Sequence, residues 1–410
     1  MYVILRKGVG PLTLFDPPGH ETRPDDQRPR RRAEPRHRFL NRTTWREFVR
    51  VRELLEDWFA SYPEQHRPDL AARFRSDDRP QHEGAFLELY CYTLLCALGH
   101  QVVVNTNTPE GKPDFLAEKA GREILYLEAT ALQPPPGELG QSKRLTQLLD
   151  ALDGIRNRHF MLGVSVSGEG VLGEPNIGKL VREVAAELDH LDPTLVEQAA
   201  GGDPDAFPAW DYQIGEQIVH VTAIPRRTRC EGQSPGGSLA YEEDDWHWIQ
   251  PAEGIRRSIR SKAHKYRSLC GPLVIALNDT RLYHYHRIDL YEALFGDEVM
   301  RVDQRTHGLH PGRKGNGVWR KRDGWHARNI GALMLFGERL LPHTVAKTQP
   351  YLLLHPRAQA ELRCRDLRLP VLDPRTGRVN TCGTKSVHWI LGLPENWPHV
   401  TSSRGSHLSW

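Results

Sequence analysis

Apolar positions along this chain recur in two rhythms. In WREFVRVRELLEDWFASY, Phe48, Val51, Leu54, Leu55 and Phe59 repeat at helical spacing, and Thr44 stands where an N-cap belongs. GAFLELYCYTLLCALG, bounded by Gly84 and Gly99, is apolar nearly all round, which predicts a buried helix whose only charged side chain is Glu88. HQVVVN then reads as a strand. PDFLAEKAGREILYLEAT, residues 113–130, reads as two strands joined at Ala120-Gly121-Arg122. Further on come a helix near 142–156, the strand FMLGVSV, the helix GKLVREVAAELDHL, the strand QIVHVTAIP, a helix near 252–269 and the strand PLVIALN. Helices alternating with β-rich runs predict an α/β class. Beyond about residue 300 the pattern loosens into a Gly-, Arg- and Trp-rich loop or hairpin, followed by the strands IGALMLFGERLL and PYLLLHP.

These patterns divide the 410 residues into three stretches. Residues 1–38 include DPPGHETRPDDQRPRRRAEPRHR, proline mixed with charge and little to bury, which predicts a disordered basic arm. Residues 39–300 form the main domain, and 301–410 a C-terminal extension packed on it. The formal charge of +3 neither requires nor excludes nucleic acid, so local charge must decide. No run approaches the roughly 18 apolar residues of a membrane span, and the first residues lack a signal-peptide core, so a cytoplasmic protein without membrane contact is expected. Six scattered cysteines suggest neither a disulfide framework nor a zinc module, and Cys364, Cys382 and His388 match no zinc spacing.

The chemistry gathers around acids. A three-residue loop would set Lys119 against Glu123 and Asp114 opposite Glu128, with Cβ atoms about 5 Å apart. Two carboxylates that close repel unless a cation intervenes; Mg²⁺ suits them, while two solvated acids at strand ends is the plainer reading. Glu88, inside an apolar helix, must be paired, protonated or coordinating, and an ion pair with a buried arginine would satisfy it. A candidate positive partner stands downstream in EGIRRSIRSKAHKYRSLCGP, where Ile255, Ile259, Tyr266 and Leu269 form one stripe with Lys262 inside it, either an ammonium brought to Asp114 and Glu128 or an aliphatic stem that snorkels out past the core. Arg256, Arg257, Arg260, His264 and Arg267 take the other side, either a phosphate-following or a solvated face.

Glu88 in a helix, Pro113-Asp114 opening a strand and Glu128-Ala129-Thr130 ending the next resemble the PD-(D/E)XK nuclease superfamily, the restriction-endonuclease-like fold. KAHKY and PLVIALN extend the likeness toward bacterial proteins of that group. The motif covers residues 83–130, and the core would run to about 278. The resemblance implies an αβββαβ core with a mixed central sheet flanked by helices, here carrying insertions and an extension. It implies Mg²⁺ or Mn²⁺ held by Asp114, Glu128 and the Ala129 carbonyl, with Glu88 binding a second ion or positioning a water. The family lysine belongs at Thr130, which carries no charge. Lys262 is the candidate replacement, with Lys265 and Lys143 behind it.

The expected activity is metal-dependent endonucleolytic hydrolysis of DNA, with RNA as the other substrate, in a setting such as bacterial defence or genome maintenance. A homodimer or partner proteins of a multi-component system are compatible with it. Arg256, Arg257, Arg260, Arg267, Arg313, Lys314, Arg320 and Lys321 are candidate backbone contacts, and Trp319 or Trp325 candidate base stackers. The alternatives are a nucleic-acid-binding subunit of the same fold without catalysis, favoured by Thr130, and a protein-interaction module.

Overall fold

The computed structural model describes residues 12–16, 26–109, 111–133, 136–168, 172–174, 176–201, 203, 206–226, 239–241, 251–279, 287–302, 309–374, 376, 378–381 and 383–399. Contacts divide the chain into two units: Met1–Arg28, Pro35–Gln133 and Gln250–Trp410 form the first, Pro29–Glu34 and Pro134–Ile249 the second.

The first unit begins with helices α1 (Arg36–Arg42), α2 (Arg46–Ser61), α3 (Arg67–Phe74) and α4 (Arg79–Ala97), then strands β1 (Gln101–Val104), β2 (Phe115–Lys119) and β3 (Arg122–Leu132). The second unit inserts α5 (Pro136–Asp153), β4 (Phe160–Ser167), α6 (Ile177–Asp189), α7 (Pro193–Ala200), β5 (Ala209–Ile214), β6 (Gln217–Pro225) and β7 (Leu239–Tyr241). The chain then returns with α8 (Pro251–Lys265), β8 (Leu273–Asp279), α9 (Arg287–Phe295), β9 (Glu298–Val302), β10 (Leu309–Arg313), β11 (Arg320–Lys321), β12 (Gly324–Trp325), β13 (Ile330–Phe336), β14 (Pro350–Leu354), α10 (Cys364–Leu367), β15 (Val371–Leu372), β16 (Val379–Asn380) and α11 (Val387–Ile390).

A mixed α/β architecture results, its central sheet ordered β1-β2-β3-β8-β13-β14-β15-β16. β1, β2 and β3 are antiparallel neighbours, whereas β3, β8 and β13 run parallel. β8 and β13 are buried at every position because helices cover both faces, which is why they read as unbroken apolar runs. On one face Leu55, Phe59, Phe74, Leu87, Tyr90 and Leu94 pack against Phe115, Leu127, Val274 and Met334. On the other, Ile255, Ile259, Leu290 and Leu294 pack against Leu116, Tyr126, Ile275 and Leu333. Each fully buried aliphatic side chain of this kind contributes roughly 1.5–3 kcal/mol.

Several expectations are corrected. The stretch after residue 300 is no extension laid on a finished core: β13 is an interior strand between β8 and β14. Part of the supposedly disordered arm is structured, since buried Asp26 pairs with Arg28 and Arg42 and α1 starts at Arg36; residues 17–25 lie outside the described residues. Thr44 does not cap α2, whose N-cap position is Trp45 with no side-chain cap bond. Cys382, of the weighed Cys364–Cys382–His388 group, also lies outside the described residues. Among those described, no helix is long and apolar enough to cross a membrane.

The second unit has its own sheet, ordered β5-β6-β4-β7. Its core unites Leu148, Leu149 and Leu152 of α5, Leu180, Val184 and Leu188 of α6, and Phe160, Leu162, Val164, Val219 and Val221 of the strands.

Candidate active site

The two carboxylates are brought level by the β2–β3 hairpin, though not by the expected loop. Ala120 (φ 52°) and Gly121 (φ 70°) make a two-residue turn of the I′ kind, pairing Lys119 with Arg122 and Glu118 with Glu123. A bulge then inserts Ile124, so that Ala117 pairs with Leu125 and Phe115 with Leu127. One residue fewer in the loop and one more in the strand cancel, and the next position sets Asp114 against Glu128. The Ala129 N–H donates to Asp114 Oδ2 at 2.7 Å, and the Asp114 N–H approaches Glu128 Oε2 at 3.3 Å.

Strand alternation decides what else can reach this pair. On β3, Leu125 and Leu127 face α4, while Tyr126 and Leu132 join the cluster under α8; Glu128 has the parity of the second set. Lys262 of α8 accordingly sets Nζ 2.5 Å from Glu128 Oε1, with Lys265 Nζ at 4.0 Å. The Tyr266 hydroxyl lies 2.8 Å from Glu128 Oε2 and 3.0 Å from the Lys112 carbonyl; with a single proton it donates to one at a time. Burial and the neighbouring Glu128 push the Tyr266 hydroxyl's pKa upward, so it stays a donor. In the sequence Tyr266 reads only as an apolar stripe member; its spacing of four from Lys262 is the available signal. Lys143 is exposed and belongs to the second unit.

Asp114 carries a large upward shift for a carboxyl. Burial, then Glu128, then Glu88 push its carboxyl up to about 8, against the opposing pull of the Ala129 N–H and Lys262. Negative charge is therefore under-compensated at this spot. Glu88 is buried on α4, but both of its oxygens have partners: the Tyr62 hydroxyl donates to Oε1 at 2.7 Å, and Arg73 Nη2 lies 2.7 Å from Oε2. An ion pair with an arginine, one of the arrangements expected to satisfy this interior acid, is present, and its spacing in the sequence singles out neither Arg73 nor Tyr62.

Among the described residues no group of three or more His, Cys, Asp or Glu side chains could hold a metal ion. What remains is two carboxylates and a main-chain carbonyl at Ala129. Hard oxygen donors with unbalanced negative charge suit Mg²⁺ or Mn²⁺, which accept one or two protein carboxylates and otherwise keep water. The candidate set fits on that chemistry. Thr130, two residues after Glu128, leaves its buried Oγ1 without a hydrogen-bond partner among the described residues.

The basic residues divide. Arg256 is buried and bonded to Asp297, Glu253 and the Glu292 carbonyl, so it is a structural tie and no phosphate contact. Arg260 donates to the Asn316 carbonyl, Arg313 holds Gly296 and Glu298, and Lys314 lies 3.3 Å from Asp297. Arg257, Arg267 and Lys321 are exposed. Arg320 is exposed too, its guanidinium 5.3 Å from the Trp325 ring centroid. Trp319 is wholly buried between Phe295 and His355 and cannot stack on a base, while Trp325 is half-buried against the same two rings.

Compared with protein-family models, with curated proteins and with solved structures, the chain matches none.

Proposed function

We propose that the chain is a metal-dependent nuclease of the PD-(D/E)XK kind acting on DNA, in which Lys262 supplies the ammonium that Thr130 lacks. The observation that carries this reading is the 2.5 Å contact between Lys262 Nζ and Glu128 Oε1, beside an Asp114 locked to the same strand end. The order β1-β2-β3-β8, with α4 before the hairpin and α8 before β8, supports the αβββαβ core, interrupted by the second unit.

A bound Mg²⁺ or Mn²⁺, held by Asp114, Glu128 and the Ala129 carbonyl, would supply charge neutralisation at the phosphate and make water a stronger nucleophile. The remaining work falls to the chain. The Ala129 N–H fixes the Asp114 carboxylate, and Tyr266 fixes one oxygen of Glu128, so neither acid needs to reorganise. Lys262 holds a positive charge beside Glu128, where it orients the attacking water and offsets charge on the phosphoryl oxygens. Arg73 and Tyr62 hold the Glu88 carboxylate in place, so it acts on Asp114 from a constant position.

Plasmid cleavage with Mg²⁺ or Mn²⁺ tests this. Wild type is expected to cut, and Asp114→Ala, Glu128→Ala and Lys262→Ala to lose about 100-fold or more. Full cutting by Lys262→Ala would remove the lysine assignment and leave the acids. Thr130 favours a second reading, a DNA-binding subunit without catalysis; DNA binding in EDTA, with no cutting under any metal, selects it.

A further inference from the structure

The second unit carries a separate set of reactive side chains. Val164 and Val166 of β4 and Val219 and Val221 of β6 enter its core, so Ser167, His220 and Asp211 stand on the opposite sheet face. The register sets His220 against Asp211 on β5 and against Ser165 on β4, with Ser167 one pleat further along that face. His220 Nδ1 lies 2.6 Å from Asp211 Oδ1, and its Nε2 lies 2.5 Å from Ser167 Oγ. An ionised carboxylate only accepts, so Nδ1 carries the proton; in the neutral ring Nε2 is then the acceptor and the Ser167 hydroxyl its donor. That proton order is the one a nucleophilic serine requires. Gly168 (φ 100°) closes down directly after the serine: a Cβ there would stand 3.1 Å from the Glu216 carbonyl oxygen. Ser167 is therefore held at the strand end, while the His220 side chain keeps 33 % of its surface exposed.

We propose that Ser167, His220 and Asp211 form a nucleophile, base and orienting acid acting on activated carboxylic esters. Ser167 Oγ bonds to the acyl carbon as its proton passes to His220 Nε2. The bond to the leaving alcohol breaks, and the alcohol takes that proton. Water, deprotonated by the same imidazole, then releases the carboxylic acid and restores the serine. Asp211 acts through the imidazole and serves as a positioning residue. Ser167 and His220 are half-buried, which suits small acyl groups with good leaving groups.

The test uses the full chain in EDTA, which silences the nuclease reading, with a fluorophosphonate probe and p-nitrophenyl acetate. Peptide mapping is expected to find the phosphonyl group on Ser167. Ser167→Ala and His220→Gln should each lower labelling and ester hydrolysis by about 100-fold. Asp211→Asn should lower kcat by about 10-fold or more with KM little changed, because a wrongly tautomeric ring still leaves the acyl site open. As a check independent of the hydroxyl, Ser167→Cys should be alkylated by iodoacetamide faster than the same variant carrying His220→Gln. Labelling of wild type no faster than Ser167→Ala, or capture at another serine, overturns the proposal; a DNA-cleavage result of either sign does not bear on it.

Discussion

Asp114 shows how one side chain can report on a whole site. Its carboxyl sits at about 8, far above an unfolded aspartate, because burial and two neighbouring acids oppose ionisation. The sign follows from linkage: a raised folded pKa contributes stability that is complete below the unfolded value near 4 and is lost as pH rises through about 8. Urea denaturation in EDTA should therefore show stability falling between those limits, and Asp114→Asn should flatten that dependence. On the proposed metal-binding reading a divalent ion competes with the same proton, so Mg²⁺ affinity measured by calorimetry should rise with pH up to about 8. Thr130 gives a second test at this scale. Its buried hydroxyl has no partner, and leaving such a group unsatisfied costs about 1–3 kcal/mol. Thr130→Val, of nearly the same shape, is expected to raise the unfolding free energy by about 1 kcal/mol. A loss of stability instead would mean that the hydroxyl is bonded in solution.

The elements set which of these side chains meet. The β2–β3 hairpin places Asp114 level with Glu128 through a tight turn and a compensating bulge, a combination that apolar alternation alone does not distinguish from a longer loop with none. Ala120 adopts φ 52°, where a Cβ costs roughly 1–2 kcal/mol and asparagine is better tolerated. Ala120→Asn should accordingly stabilise the protein by about 1 kcal/mol in chemical denaturation without disturbing the site. Along α8 the same periodicity that carries Lys262 and Tyr266 to Glu128 also buries Arg256 on Asp297, a distinction that composition conceals. Removing one partner of such a pair costs about 3–5 kcal/mol. Arg256→Ala should thus unfold at markedly lower urea and, on the proposed reading that the chain binds DNA, bring no specific change in the salt slope of that binding. Arg257→Ala and Arg267→Ala should do the reverse, each lowering that slope by about 1.

At the scale of the whole molecule, the first unit is closed by residues far apart in the chain. β8 lies between β3 and β13, so a chain ending at residue 300 would expose the long apolar edge of β8 and strip one helical layer of its partners. Such a truncation should give no cooperative unfolding transition by circular dichroism. What the sequence by itself determined was whatever depends on near neighbours. The buried helix around Glu88, the hairpin ending on two acids, the placement of Lys262 within the α8 stripe and the alternating α/β order all follow from periodicities of 3.6 and 2. Tertiary structure alone decided the rest. It took β13 into the central sheet, gave Glu88 its arginine and tyrosine, buried Trp319 and Arg256, and aligned Ser167, His220 and Asp211 across three strands. Those outcomes rest on which strands pair and in what register, and a one-residue shift there reverses every side chain's face. Local spacing carries little such information, because most of these partners lie well outside one another's helical turn or strand.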